Sequence, residues 1–223
     1  MIDEDLILEL EDFIPKDVCK NIIQKYHEDS RKERAMISHY DKCIIDLDRK
    51  NAHEIPINNY REWSEIVNYM NSKVKDAISI YMKKVCNYFK KYNENPEFIN
   101  YILFNDKKIE PGDFLIQSVT PNSEYRWHTD NSPGVYQTCI IYLNDVDEKD
   151  GGATEFVCGK KIQPRVGKLI LFPATPFNVH RGCFVTKPKY MITCQSMISS
   201  TFEIKYPFIV KNDVIIQKEA LFR

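Results

Sequence analysis

The stretch EYRWHTDNSPG, Glu124 to Gly134, sets His128 and Asp130 two residues apart. At a strand end that spacing lets both side chains point the same way, so an imidazole and a carboxylate can face one metal ion. The pair alone is weak, because H-x-D triplets also occur on ordinary polar loops. A third ligand is needed, and the chain has five histidines. His27 falls in a helical pattern, and His39 and His53 fall in a charged stretch without a clear period. His180 ends the run LILFPATPFNVH, a strand followed by a loop, fifty residues past Asp130. That is enough chain to cross a barrel and return. Two imidazoles and one carboxylate, with coordination positions left open, suit non-haem Fe(II).

The elements that must hold these residues can be read from hydrophobic period. Pro15 to His27 places Val18, Ile22, Ile23 and Tyr26 at helical spacing, with Pro15 suited to a first turn. Residues 29 to 59 are charged and weakly periodic, with one strand-like run at Cys43-Ile44-Ile45. From Tyr60 to Tyr92 apolar residues recur every three or four positions, from Trp63 through Met70, Val74 and Tyr81 to Phe89, which predicts a long helix ending at Asn93 to Pro96. From residue 98 the period shortens. The runs FINYILF, DFLIQSVT, YQTCIIYLNDV, GATEFVC, GKLILFP, YMITCQSMI and FEIKYPFIV are separated by turn residues such as Asn105-Asp106, Asp150-Gly151-Gly152 and Pro173. Many short strands without intervening helices predict a jelly roll. The expected fold is therefore α+β and mainly β, a double-stranded β-helix with amino-terminal supporting helices. We expect a single domain over residues 1–223, with 1–97 mainly helical support and 98–210 the core that carries the metal site.

Composition narrows the partners. The 223 residues are 43% apolar and 28% charged, with a formal charge of -1 and a pI near 6.5, so no basic field invites nucleic acid. The opening MIDEDLILELEDF lacks the basic flank of a signal peptide, and no run approaches a membrane span, so a soluble intracellular protein is expected. Seven scattered cysteines without a C-x-x-C pair read as reduced, buried thiols rather than a disulfide or zinc framework.

Four ordered blocks resemble the 2-oxoglutarate and Fe(II) dependent oxygenases, in particular the catalytic domain of the prolyl 4-hydroxylase group. YRWHTD resembles that family's Y-x-x-H-x-D segment. IIYLNDVDEKDGGATEF resembles its strand, acidic loop, double glycine and Thr-x-Phe; QPRVGKLILFP its P-x-x-G strand; and HRGCFVTKPKY its distal histidine strand ending in a basic residue. LILELEDFIPKDVCKNII is similar to its amino-terminal strand and helix. The likeness is loose over 6–27 and close over 113–197.

This resemblance implies that His128, Asp130 and His180 ligate Fe(II), and that Lys189 pairs with the distal carboxylate of 2-oxoglutarate. Lys187 is the second choice for that pairing, because Lys189 follows His180 by nine residues, one fewer than the family spacing. It further implies that Thr154 lines the cosubstrate pocket and that Tyr125 and Trp127 shape the substrate entrance. Read without it, Lys189 is a solvated charge, Thr154 a strand residue and Tyr125 a core aromatic. The family's tyrosine nine residues before the first ligand is here Val119, and what replaces its hydrogen bond is left open. Asp130 occupies the place where related halogenases carry a small residue, so the likeness is to hydroxylases. The activity implied is a dioxygenase that couples decarboxylation of 2-oxoglutarate to hydroxylation of an unactivated C–H, with O2 as cosubstrate and ascorbate as reductant. The substrate implied is a peptidyl proline or similar protein residue; a free amino acid or other small molecule is the alternative. A cupin-like binding module without turnover is a third reading, and it leaves Lys189 unexplained. Cys183 and Cys194 flank the region and are read as packing.

Overall fold

The computed structural model describes residues 4–39, 42–90, 95, 108–199, 208–211 and 214–217. In chain order the elements begin with β1 (Leu8–Leu10), α1 (Lys16–Glu28), β2 (Glu33–Arg34), β3 (Ile37–His39), β4 (Lys42–Ile44), β5 (Ala52–Pro56) and α2 (Ser64–Phe89). There follow β6 (Lys108–Val119), β7 (Ser123–His128), β8 (Val135–Tyr142), β9 (Thr154–Phe156), β10 (Lys161–Ile162), β11 (Leu169–Pro173), β12 (His180–Val185) and β13 (Lys189–Ser199). The last two, β14 (Phe208–Lys211) and β15 (Val214–Gln217), pair only with each other. The expected strand FINYILF and the Asn105-Asp106 turn lie outside the described residues.

Two antiparallel sheets face each other, one of seven strands in the order β1-β11-β8-β13-β6-β5-β2, the other of four in the order β10-β9-β12-β7. This is the double-stranded β-helix, with its two helices on one side. The residues dictate the sides by alternation. On β8, Cys139 and Ile141 pack in the cluster that holds the helices, while Ile140 and Tyr142 pack in the second cluster, between the sheets.

Helix α1 buries Cys19, Ile22 and Tyr26, and α2 buries Met70, Val74, Ala77, Ile78, Tyr81 and Val85, each set one helical stripe. These meet Phe114, Ile116, Ile141, Leu171 and Ile192 of the large sheet. Each fully buried large apolar side chain contributes about 1.5–3 kcal/mol, so a charge placed at Val74 or Ile116 would undo the layer. The two helices are joined at one corner, where Trp63 Nε1 donates to Asp29 Oδ2 at 2.8 Å and Arg31 pairs with the same carboxylate at 2.7 Å. Helix α2 starts later than its apolar period, because two short 3-10 turns, Ile57–Asn59 and Arg61–Trp63, precede it.

The amino-terminal part does more than support. Besides the helices it supplies β1, β5 and β2 to the large sheet. Strand β5 escaped the sequence reading because AHEIP carries His53 and Glu54 within five residues and ends in proline, which hides its alternation. The thiols also depart from expectation. All seven cysteines are free, but Cys43 is exposed and Cys86, Cys158 and Cys183 are half-buried. None of the described helices is long and apolar enough to cross a membrane.

Candidate active site

The last residue of β7 and the first of β12 are His128 and His180, and the antiparallel register pairs them directly. Asp130 lies two residues beyond β7, so the chain returns its carboxylate to the same spot. Nε2 of His128 is 3.8 Å from Asp130 Oδ1, and Nε2 of His180 is 3.5 Å from Asp130 Oδ2. One donor atom from each residue lies within 4.8 Å of the others, the one such convergence of three metal-ligating side chains among the described residues.

The surroundings prepare these atoms for a cation. His128 Nδ1 faces the carbonyl of Arg126 at 2.8 Å and His180 Nδ1 faces that of Asn178 at 3.2 Å. A carbonyl only accepts, so each Nδ1 carries the proton and each Nε2 keeps its lone pair free. Both imidazoles titrate below the ordinary histidine value. Burial is the main cause for each, reinforced at His128 by His180 and opposed at both by Asp130. They are therefore neutral at neutral pH, as metal ligation requires. Thr138 of β8 donates to Asp130 Oδ2 at 2.7 Å and fixes that carboxylate. Tyr125 stacks on His128 at 3.7 Å, and Phe172 packs edge-on to His180 at 4.8 Å.

Deeper between the sheets is Lys189, the first residue of β13. Among the described residues three lysines are buried, and two of them have carboxylates: Lys50 reaches Glu54 at 3.3 Å and Lys168 reaches Glu11 at 2.7 Å. Lys189 has none of the described carboxylates within ion-pair reach. Its Nζ donates to the carbonyl of Gly152 at 2.8 Å and lies 5.2 Å from the centroid of the Tyr142 ring. Burial pushes the ammonium down to about 8. A buried cation whose nearest anion is missing is a place for an anionic group. Lys187 is exposed.

Val119 is the cross-strand partner of Lys189, so the place of the expected tyrosine holds an apolar wall. Tyr142, which the sequence reading passed over, is the aromatic beneath the ammonium, and its hydroxyl donates to Thr154 Oγ1 at 2.7 Å. The signal for it lay in the alternation of β8, which sends Thr138, Ile140 and Tyr142 inward together. Trp127 sits at the mouth, 42% exposed, with the Arg181 guanidinium 4.8 Å from its ring centroid. Cys194 is buried on the helix side, whereas the Cys183 thiol meets Glu155 Oε2 at 3.4 Å. His27 packs against Tyr190 beneath the large sheet, away from the cluster.

The donor set fits Fe(II), and the uncompensated ammonium fits the far carboxylate of a chelating 2-oxo diacid. The comparisons agree with that chemistry. A family model described as the 2OG-Fe(II) oxygenase superfamily matches residues 114–195. No curated protein sequence matches the chain. Among solved structures, a prolyl hydroxylase from Trichoplax adhaerens, in complex with a hypoxia inducible factor oxygen degradation domain peptide fragment, superposes with a TM-score of 0.67 at 16% identity, covering 87% of this chain and 84% of that one. A prolyl-4-hydroxylase from Pseudomonas putida gives 0.60 at 14%, covering 86% and 92%. The viral collagen prolyl hydroxylase from Paramecium Bursaria Chlorella virus-1, in its 2OG complex, gives 0.52 at 15%, covering 86% and 96%. At these identities the structural likeness establishes the fold. The matched stretch begins at Phe114 on β6, ends at Gln195 on β13 and takes in all three clustered donors. The chain thus resembles the 2OG-Fe(II) oxygenase superfamily in sequence across this stretch, and prolyl hydroxylases in fold across most of its length.

Proposed function

We propose that this protein is an Fe(II)- and 2-oxoglutarate-dependent dioxygenase that hydroxylates a protein residue, a peptidyl proline or one like it, within a single domain. The observation that carries the reading is the convergence of His128, Asp130 and His180 in one cavity with a buried Lys189 that has no described carboxylate partner. His128, Asp130 and His180 would hold the iron, and Lys189 the distal carboxylate of 2-oxoglutarate, with Thr154 and Tyr142 beside it. Bound iron supplies the activation of O2 and the oxidising power for an unactivated C–H, and 2-oxoglutarate supplies two of the electrons.

The chain's own residues do the rest. The Nδ1 contacts to Arg126 and Asn178 orient the two imidazoles, and Thr138 holds the carboxylate. Ile140, Tyr142, Phe156, Phe172 and Met191 form the apolar wall that keeps water from the buried end of the pocket. The cavity that takes in the cluster and Lys189 has a volume of about 1160 Å³, above the roughly 300–1,000 Å³ of small-molecule sites. That size, with Trp127 exposed at its mouth, favours a polymer substrate over a free amino acid. Tyr125 and Trp127 would border it.

The test is anaerobic titration with Fe(II) and 2-oxoglutarate, following the visible charge-transfer band of the chelate. The band is expected in the parent protein and lost in His128→Ala. Succinate formation that persists in His128→Ala or Asp130→Ala would overturn the proposal. Mass spectrometry of proline peptides and free amino acids, incubated with iron, 2-oxoglutarate and ascorbate, identifies which class gains oxygen.

A further inference from the structure

Lys50 is a second buried cation lining this cavity. It is 7% exposed, lies two residues before the start of β5, and forms an isolated antiparallel bridge with Tyr125, so its backbone is tied to the strand that carries His128. Its ammonium is 3.3 Å from Glu54 Oε2 and lies 5.2 Å from the centroid of the Tyr125 ring, which itself stacks on His128. Glu54 is held in turn by the backbone N–H of Met36. An ammonium has three donors, and among the described residues only one is used here. Burial makes unused charged donors costly, and the ring face offsets that only in part. The Tyr125 hydroxyl likewise makes no hydrogen bond among the described residues. Both residues line the cavity. Two kinds of unspent donor therefore line the cavity beside His128.

We infer that Lys50, held in place by Glu54, is a substrate-orienting residue that donates, together with the Tyr125 hydroxyl, to a carbonyl oxygen of the bound peptide next to the residue being oxidised. Together Lys50 and Glu54 carry no net charge, which suits a peptide carbonyl better than a carboxylate. The inference rests on the proposed peptide oxygenation.

Two fluorescein-labelled probes test it, the peptide Gly-Ala-Pro-Ala-Gly and the same chain with lactate in place of the alanine after proline. The substitution turns the proline carbonyl into an ester, a weaker acceptor. Binding is followed by fluorescence anisotropy to anaerobic protein loaded with Fe(II) and 2-oxoglutarate. The parent should bind the amide about tenfold more tightly than the ester, as expected for a hydrogen bond to a charged donor. Lys50→Met should abolish that preference while the chelate band keeps its position and intensity, and Lys50→Arg should restore part of it. Because Lys50→Met leaves Glu54 buried without a partner, Lys50→Met/Glu54→Gln is measured beside it. Persistence of the amide preference in the double variant would overturn the inference, as would equal weakening of both probes with a shifted band. If the band forms and neither probe binds the parent, the peptide reading fails and Lys50's role fails with it; if no band forms, the iron reading has failed first.

Discussion

Lys189→Met separates a cost to folding from a gain to binding at one residue. Burial lowers the ammonium from 10.5 to about 8; among the described residues it has no carboxylate in ion-pair reach, and its neighbours are the Gly152 carbonyl, the Tyr142 ring and the Cys183 thiol. At about 1.4 kcal/mol per pH unit, that shift means the charged form costs roughly 3 kcal/mol in the folded chain relative to the unfolded one. Between pH about 8 and about 10.5 the unfolded chain holds the proton and the folded chain has released it. Stability from this group therefore rises with pH across that window, and below it the full cost is present. Buried tyrosines such as Tyr125 and the thiol of Cys194 act with the opposite sign, because burial raises them and only the unfolded chain ionises. The total curve hides Lys189, and the difference between parent and variant reveals it. Urea unfolding at neutral pH and near pH 10.5 should show the stability of Lys189→Met relative to parent falling by about 3 kcal/mol between the two. The lost contact to Gly152 shifts both measurements equally. The same variant should fail to bind 2-oxoglutarate in the anaerobic titration. A difference independent of pH would refute the uncompensated ammonium, and unchanged cosubstrate binding would refute its use.

Other perturbations follow from single contacts. Thr138→Val removes the donor to Asp130 with little change of shape, and Fe(II) affinity in the chelate titration should drop about ten- to a hundredfold at nearly unchanged melting temperature. Gly167→Ala should destabilise by more than about 2 kcal/mol, read by thermal circular dichroism, because a Cβ there would meet the Ile14 carbonyl at 2.1 Å. Gly159→Ala, at φ +94 but with no atom within 4 Å, isolates backbone strain alone and should cost only about 1 kcal/mol. Lys50→Met orphans a buried carboxylate and should cost about 3–5 kcal/mol in urea unfolding, while Lys50→Met/Glu54→Gln should come out near neutral.

The sheet core was legible because its strands alternate cleanly, and the cluster of candidate ligands because metal chemistry demands particular residue types. His128, Asp130 and His180 could be named before any geometry, although the H-x-D pair became informative only with a third donor on a distant strand. The helices were legible from period, with their ends shifted by the 3-10 turns at Ile57–Asn59 and Arg61–Trp63. Strands β2 and β5 were not, since pairing at a sheet edge can hold short polar segments whose own pattern is mute. Tyr142 and Lys50 were illegible for a different reason. A tyrosine in an apolar strand and a lysine in a charged loop look ordinary, and only their placement over Lys189 and against Tyr125 distinguishes them.

Val119 shows how such placements compensate a substitution. A tyrosine at that position would offer a hydroxyl to the cosubstrate; valine, opposite Lys189 in the ladder, offers none. It also leaves the ammonium facing an apolar neighbour, which raises the cost of the empty charged pocket and correspondingly strengthens the interaction with an arriving carboxylate. The hydroxyls that remain, Tyr142 and Thr154, are joined to each other at 2.7 Å, and Thr154 Oγ1, as the acceptor, keeps its own proton to donate. The pocket thus pairs one strong, poorly compensated cation with one free hydroxyl donor. On the proposed function, selectivity for a diacid then depends mainly on Lys189, and Thr154→Val should weaken 2-oxoglutarate binding far less than Lys189→Met does.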